Sequence, residues 1–74
     1  MSRNLDDVAA GTRFRLESVP DAGLRARLLR LGFLDGPVTC RHRVRKGPVV
    51  ISRHGTDLAV GRPLATDIEV AEVR

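Results

Sequence analysis

The central feature of the sequence is an apolar stripe that lies between two blocks of alternating residues. Leu24, Leu28 and Leu31 recur at positions i, i+4 and i+7, which places them on one side of a helix. Asp21 is suited to cap the first free amides, and Gly32 is suited to end the helix in the left-handed conformation. The pattern therefore predicts one helix after Asp21 that ends at Gly32, with the rest of the chain extended and packed on it.

The segments on either side of this helix have the composition of short strands. Apolar residues alternate with polar ones, or β-branched residues cluster, and Pro, Gly and Asp mark the boundaries. The five predicted strands are Arg13–Val19, Val38–Arg45, Pro48–Arg53, Asp57–Val60 and Ile68–Val73. Asn4–Gly11 fits a single helical turn, and Gly61–Asp67 fits a 3₁₀ turn that holds Leu64 inward. The chain is therefore expected to be mainly β, a small closed or nearly closed barrel with one helix inserted after its first strand.

The second and third predicted strands are expected to form a hairpin. With a tight turn at Lys46-Gly47, the register places His42 opposite Ile51 and Cys40 opposite Arg53. Because side chains alternate along a strand, Cys40 and His42 then share one face.

Cys40 and His42 are the residues with the character of metal ligands. A thiolate and an imidazole at i and i+2 could share a soft cation such as zinc or ferrous iron. Two ligands are too few for a structural site, so no metal site is assigned and no cofactor is expected, although weak divalent-metal binding stays open. The other interpretation makes Cys40 a small core residue and places His42 at the mouth of the barrel.

Length and composition limit the chain to one domain, residues 1–74. The apolar fraction of 42% contains two Phe and no Trp or Tyr, so the core is expected to be aliphatic. A single cysteine excludes an internal disulfide and fits a reducing cytosol. The start lacks the apolar run of a signal peptide, and no later stretch reaches membrane-spanning length. The expectation is a cytoplasmic protein without direct membrane insertion.

The basic charge raises a nucleic-acid interpretation. The net charge is +4 and the pI is near 11.0. The predicted register gathers a basic stripe on the outer face of the second strand and its turn: Arg41, Arg43, Arg45 and Lys46. Barrels that bind single-stranded nucleic acid usually carry exposed aromatic side chains on which bases stack. The two aromatic residues, Phe14 and Phe33, are instead expected in the core. The stripe is therefore expected to be a solvated face or a contact for an acidic protein, with nucleic acid as the alternative.

Catalytic patterns do not emerge from the sequence. Ser2, Ser18 and Ser52 have no positioned His and acid in a recognisable arrangement. The seven glycines are scattered at turns, so no phosphate-binding loop is present. The chain is not expected to be an enzyme.

Leu29 departs from the apolar stripe of the helix. It lies about 140° from Leu24 at roughly 100° per residue, and Arg25 is its neighbour. Either it packs under the segment after the helix, or it is exposed as a contact for a partner; both remain open. The second interpretation predicts a partner-binding surface. Its members are Arg25, Leu29, Arg30, Phe33 and Leu34.

The order and spacing of several short motifs resemble the FeoA family, the small companions of bacterial ferrous-iron transporters. The resemblance covers about residues 4 to 73. The residues on which the resemblance rests are Leu5 with Gly11, the helix segment Leu24-Arg25-x-Arg27-Leu28-x-x-Leu31-Gly32-Phe33, Gly36, Gly47-Pro48-Val49-Val50, Gly55, Leu58-Ala59-Val60-Gly61, Ala65 and Ile68-x-Val70.

This resemblance implies an SH3-like barrel, which agrees with the five strands. It also implies a non-enzymatic adaptor that binds the cytoplasmic part of a FeoB-type transporter, and thereby a location at the inner face of the membrane. The family has no ligand or catalytic motif to transfer. The sequence leaves open whether the chain forms a homo-oligomer and whether it activates or restrains its partner.

Overall fold

A computed structural model describes residues 3–73 of the chain, so residues 1, 2 and 74 of the predicted domain lie outside the described part. Six antiparallel strands form one curved sheet in the order β1-β6-β2-β3-β4-β5. The elements are β1 (Arg3–Asn4), a 3₁₀ turn (Leu5–Asp7), β2 (Arg13–Ser18), α1 (Ala22–Leu31), β3 (Val38–Arg43), β4 (Val49–Arg53), β5 (Thr56–Val60), α2 (Arg62–Ala65) and β6 (Glu69–Glu72). The predicted mainly β fold is confirmed, and β1 is added to the five predicted strands.

Helix α1 begins and ends as its sequence predicts. The Asp21 carboxylate accepts a hydrogen bond from the Leu24 N–H at 2.8 Å. Gly32 takes the left-handed conformation with a φ of 81°, and the Phe33 N–H donates to the Leu28 carbonyl at 2.9 Å. Local residues therefore cap both ends of the helix.

The core lies inside the curved sheet and is almost wholly aliphatic. Its buried members are Leu5, Val8, Phe14, Val19, Leu28, Phe33, Val38, Cys40, Val49, Ile51, Leu58, Val60, Ala65, Ile68 and Val70. Among the residues of α1, only Leu28 is fully buried, and Leu24 packs against the core from a half-buried position. The helix is therefore a peripheral layer, and the expectation that the chain packs around it is wrong.

Two predicted core residues lie at the surface. Leu31 is 42% exposed because it is turned about 60° from Leu28, and the peripheral helix touches the barrel along a narrow strip. Leu64 is 37% exposed, since the short helix α2 directs Ala65 inward instead. Both corrections follow from the small number of side chains that each helix buries.

The β3–β4 hairpin differs from its predicted register. The Val44 N–H donates to the Pro48 carbonyl at 3.1 Å, so the turn holds three residues instead of two. A bulge between Cys40 and His42 then shifts the ladder again, and Cys40 lies opposite Ile51 while His42 lies opposite Val50. The predicted pairing of Cys40 with Arg53 is therefore wrong.

No helix within residues 3–73 is both long and apolar enough to cross a membrane.

Candidate functional site

The outer side of α1 carries an exposed apolar row. Leu29 is 61% exposed, which makes it the most exposed of the large hydrophobic side chains of the described chain. Ala22 and Ala26 are also exposed, and they precede Leu29 with the spacing i, i+4 and i+7. These three residues, called the outer row here, lie on the side of the helix that faces away from Leu28. Leu29 is therefore exposed and not packed under the segment after the helix, and its contact with a partner stays a prediction.

Sequence reasoning missed Ala22 and Ala26 as members of this surface. Their spacing with Leu29 repeats the spacing of Leu24, Leu28 and Leu31, so the signal was present. Alanine is common at every position of helices, so the spacing of Ala22 and Ala26 does not by itself indicate a surface.

Guanidinium groups flank the outer row on both sides. Arg25 lies beside Leu29 and donates to the Val19 carbonyl at 3.0 Å, which fixes its position at the start of the helix. Arg27 and Arg30 are exposed on the other side. Within residues 3–73 the ion pair formed is that of Arg3 with Glu72 at 3.2 Å, so these arginines meet no carboxylate of the chain there. Their guanidinium groups can donate hydrogen bonds to carboxylates of another molecule.

The segment after the helix contributes less to the surface than predicted. Phe33 is fully buried, so it cannot contact a partner and the prediction that it does so is wrong. The left-handed Gly32 turns the chain back, which carries Phe33 into the core. Leu34 is half-buried beside Arg15 and Asp35, where it lines a cleft of about 200 Å³.

Arg53 holds this segment in place, a role that the sequence did not reveal. Its Nε donates to the Gly32 carbonyl at 2.9 Å, and its Nη1 donates to the Pro37 carbonyl at 2.8 Å. A positive charge at the C-terminus of a helix also complements the helix dipole. The side chain thereby joins β4 to the end of α1. Arg53 also pairs with Thr56 at the end of a regular hairpin.

Cys40 and His42 lie on different faces of β3. The bulge between them interrupts the alternation, so Cys40 is buried opposite Ile51 whereas His42 is exposed opposite Val50. Burial raises the pKa of the Cys40 thiol, and the charge of Arg43 partly opposes this shift. The predicted shared face is wrong, and residues 3–73 contain no cluster of three or more His, Cys, Asp or Glu suited to a metal ion.

The same bulge divides the predicted basic stripe. Arg43 lies opposite the buried Val49, and its Nη1 crosses to the Val8 carbonyl at 3.1 Å. Arg41 is the extra residue of the bulge. Arg45 and Lys46 are exposed in the following turn, where Lys46 has a φ of 61°. The four residues therefore do not form one row on the outer face.

Comparisons with known proteins agree with this architecture. The model of the FeoA domain family matches residues 3–72. A crystal structure of an iron uptake regulatory protein (FeoA) superposes with a TM-score of 0.78 at 23% identity, covering 99% of this chain and 100% of that one. The NMR structure of a FeoA-like protein from Clostridium acetobutylicum gives 0.73 at 18% identity, covering 99% and 88%. No curated protein matches the chain.

Proposed function

Because the chain belongs to the FeoA domain family, we propose that it is a non-enzymatic accessory protein of bacterial ferrous iron uptake that binds the cytoplasmic part of a FeoB-type transporter. Membership of the family supports the role in ferrous iron uptake. The transporter as the partner is our proposal, and it would hold the chain at the inner face of the membrane without insertion of its own.

The exposed Leu29 on α1 is the observation that carries the binding role. Leu29 is 61% exposed, so its burial against a partner would contribute favourable free energy to binding. Complete burial of a leucine side chain contributes about 1.5–3 kcal/mol. Ala22 and Ala26 leave the helix backbone open to close approach, because their side chains are small. The outer row is therefore suited to receive another helix or an apolar ridge of the partner.

The charges around the outer row support a partner surface that carries carboxylates. Arg27 and Arg30 are exposed and meet no carboxylate within residues 3–73. Carboxylates that surround an apolar contact on the partner would form charge-assisted hydrogen bonds with them. Typical specific interfaces bury roughly 800 Å² on each partner, which is more than one short helix offers, so the contact would extend beyond the helix to residues such as the half-buried Leu34.

Substitution Leu29→Asp tests this surface. The side chain is exposed, so the fold should persist with an unchanged thermal transition. Binding to the purified cytoplasmic domain of the transporter should weaken by about tenfold or more, which corresponds to about 1.4 kcal/mol per factor of ten. Titration calorimetry measures the affinity of the two chains directly.

Leu64→Asp is the matched control, because it places the same charge at another exposed leucine, on α2. It should leave the affinity unchanged. Unchanged binding by a folded Leu29→Asp variant would remove the outer row from the interface. Absence of binding by the wild-type chain, in every nucleotide state of the transporter domain, would overturn the proposed partner.

The nucleic-acid alternative has less support from the geometry. Its basis was a continuous row of Arg41, Arg43, Arg45 and Lys46, and the bulge divides that row while Arg43 bonds to Val8. Both phenylalanines are buried, so neither offers a stacking platform. Metal sensing through Cys40 and His42 loses its basis in the same way, because the two side chains diverge. We advance neither function.

A further inference from the structure

Strand β5 forms one edge of the sheet. It pairs with β4 along its whole length, and residues 3–73 place no strand on its other side. An edge of this kind presents unpaired N–H and C=O groups to any extended chain that reaches it.

The β4–β5 turn determines which groups point outward. Arg53 pairs with Thr56, so His54 and Gly55 form a two-residue turn, and their φ angles of 50° and 82° fit type I′. The residues that flank such a turn form a hydrogen-bonded pair, and the bonded pairs then alternate along the ladder. Leu58 therefore bonds to β4, whereas the backbone groups of Asp57 and Ala59 point away from it.

These outward groups are open to a partner. Within the described chain, the N–H and C=O of Asp57 and Ala59 make no hydrogen bond outside the β4 ladder, and both residues are exposed. The strand itself contains no proline or lysine, which are residues that commonly protect an edge. Two donors and two acceptors thus line one accessible edge.

We propose that this edge binds a second copy of the chain, with the two β5 strands antiparallel about a twofold axis at Leu58. In this register Asp57 of each copy lies opposite Ala59 of the other, and the outward groups of both copies form four N–H···O=C bonds. The two sheets become one continuous sheet across the axis. This proposal is independent of the transporter as a partner.

Self-complementarity is the reason to choose a second copy over another extended segment. The Leu58-centred register keeps the two Asp57 carboxylates apart, because each faces an alanine, and it pairs Thr56 with the β-branched Val60. The alternative register that pairs Asp57 with Asp57 would oppose like charges. Each copy also carries a net charge of +4, so the association is expected to be weak and dependent on concentration.

Substitution Ala59→Pro provides the test. The Ala59 N–H points away from β4, so proline removes no hydrogen bond within the chain, while it removes two of the four bonds between copies. Sedimentation velocity over a wide concentration range should show dimers of the wild-type chain and a dissociation constant raised about tenfold or more in the variant. Ala59→Thr retains the N–H and should dimerise like the wild type.

Two further measurements make the result decisive. Amide hydrogen exchange of the unaltered chain, followed by NMR, should show Asp57 and Ala59 protected at high concentration and unprotected at low concentration. Leu29→Asp should leave the dimer intact, because α1 is not part of this ladder. A monomer at every concentration would overturn the proposal, as would a dimer that Ala59→Pro leaves unchanged or that Leu29→Asp abolishes.

Discussion

Individual arginines in this chain have different structural roles despite their common charge. Arg53 and Arg43 donate to backbone carbonyls from positions at the sheet, whereas Arg27 and Arg30 extend into solvent. The sequence shows the same residue type at each position, and alternation alone assigned Arg43 to an outer face. The role of each arginine depends on the carbonyl groups that the fold brings near it, which no local pattern encodes.

Replacement of Arg53 should destabilise the protein. Substitution Arg53→Met retains much of the aliphatic stem but leaves the Gly32 and Pro37 carbonyls without their donor. We expect the free energy of unfolding to fall by about 1–3 kcal/mol, measured by urea denaturation. Arg27→Met is the control, because Arg27 is exposed on the helix. Equal stability of the two variants would show that the carbonyl contacts of Arg53 contribute nothing.

The Cys40 thiol should make stability depend on pH in the alkaline range. Burial raises the thiol pKa in the folded chain, so the folded state retains its proton where the unfolded state has lost it. The stability linked to this group is fully present below the unfolded pKa of about 8.5 and is lost as the pH rises through the folded pKa. Unfolding measured between about pH 7 and pH 10 should show this loss.

Comparison with Cys40→Ala isolates the thiol in that experiment. The variant is less stable throughout, because it leaves a small void in the core, but its stability should fall less steeply over the same pH range. Identical slopes for the two proteins would mean that ionisation of Cys40 is not linked to folding.

At the scale of the element, local signals predicted α1 well and predicted its packing poorly. The Asp21 cap and the Gly32 termination are chemical properties of single residues, and both are confirmed. Leu31 was assigned to the core because it continues the stripe, yet only Leu28 is fully buried. Periodicity identifies the apolar side of a helix, but the width of the buried strip depends on how far the neighbouring sheet reaches.

Two glycines of the α1 segment should respond in opposite ways to the same substitution. Gly32→Ala forces a side chain into a backbone with a φ of 81°, which costs about 1–2 kcal/mol, although the new methyl group has room beside Asp35. Gly23→Ala lies within the helix at an ordinary φ, so it should stabilise the protein by about 0.5–1 kcal/mol.

Thermal denaturation of both variants beside the wild type is the appropriate measurement. The two variants control for each other, because both replace glycine by alanine and only the backbone conformation at the two positions differs. Stabilisation by Gly32→Ala would show that the left-handed end of the helix is not required.

At the scale of the whole molecule, the sequence predicted the fold class and the five principal strands but not the pairing between them. The predicted register of β3 with β4 is wrong because the turn holds three residues instead of two, and because a bulge between Cys40 and His42 moves the neighbouring residues to different faces. The predicted metal pair and the predicted basic stripe both depended on that register. The departure of Leu29 from the apolar stripe is confirmed, because it follows from the periodicity of α1 alone. Features within one element were therefore predictable, and features that combine two strands were not.

Helix α1 is attached to the barrel by few contacts, namely the buried Leu28, the half-buried Leu24, the Arg25 bond to Val19 and the bridge from Arg53 to its end. The outward positions of the helix consequently carry little of the folding energy. Mutations there are expected to cost little stability, whereas the barrel interior tolerates few changes. The proposed binding surface and the barrel can therefore evolve at different rates, so that the outer row can change while the barrel remains the same.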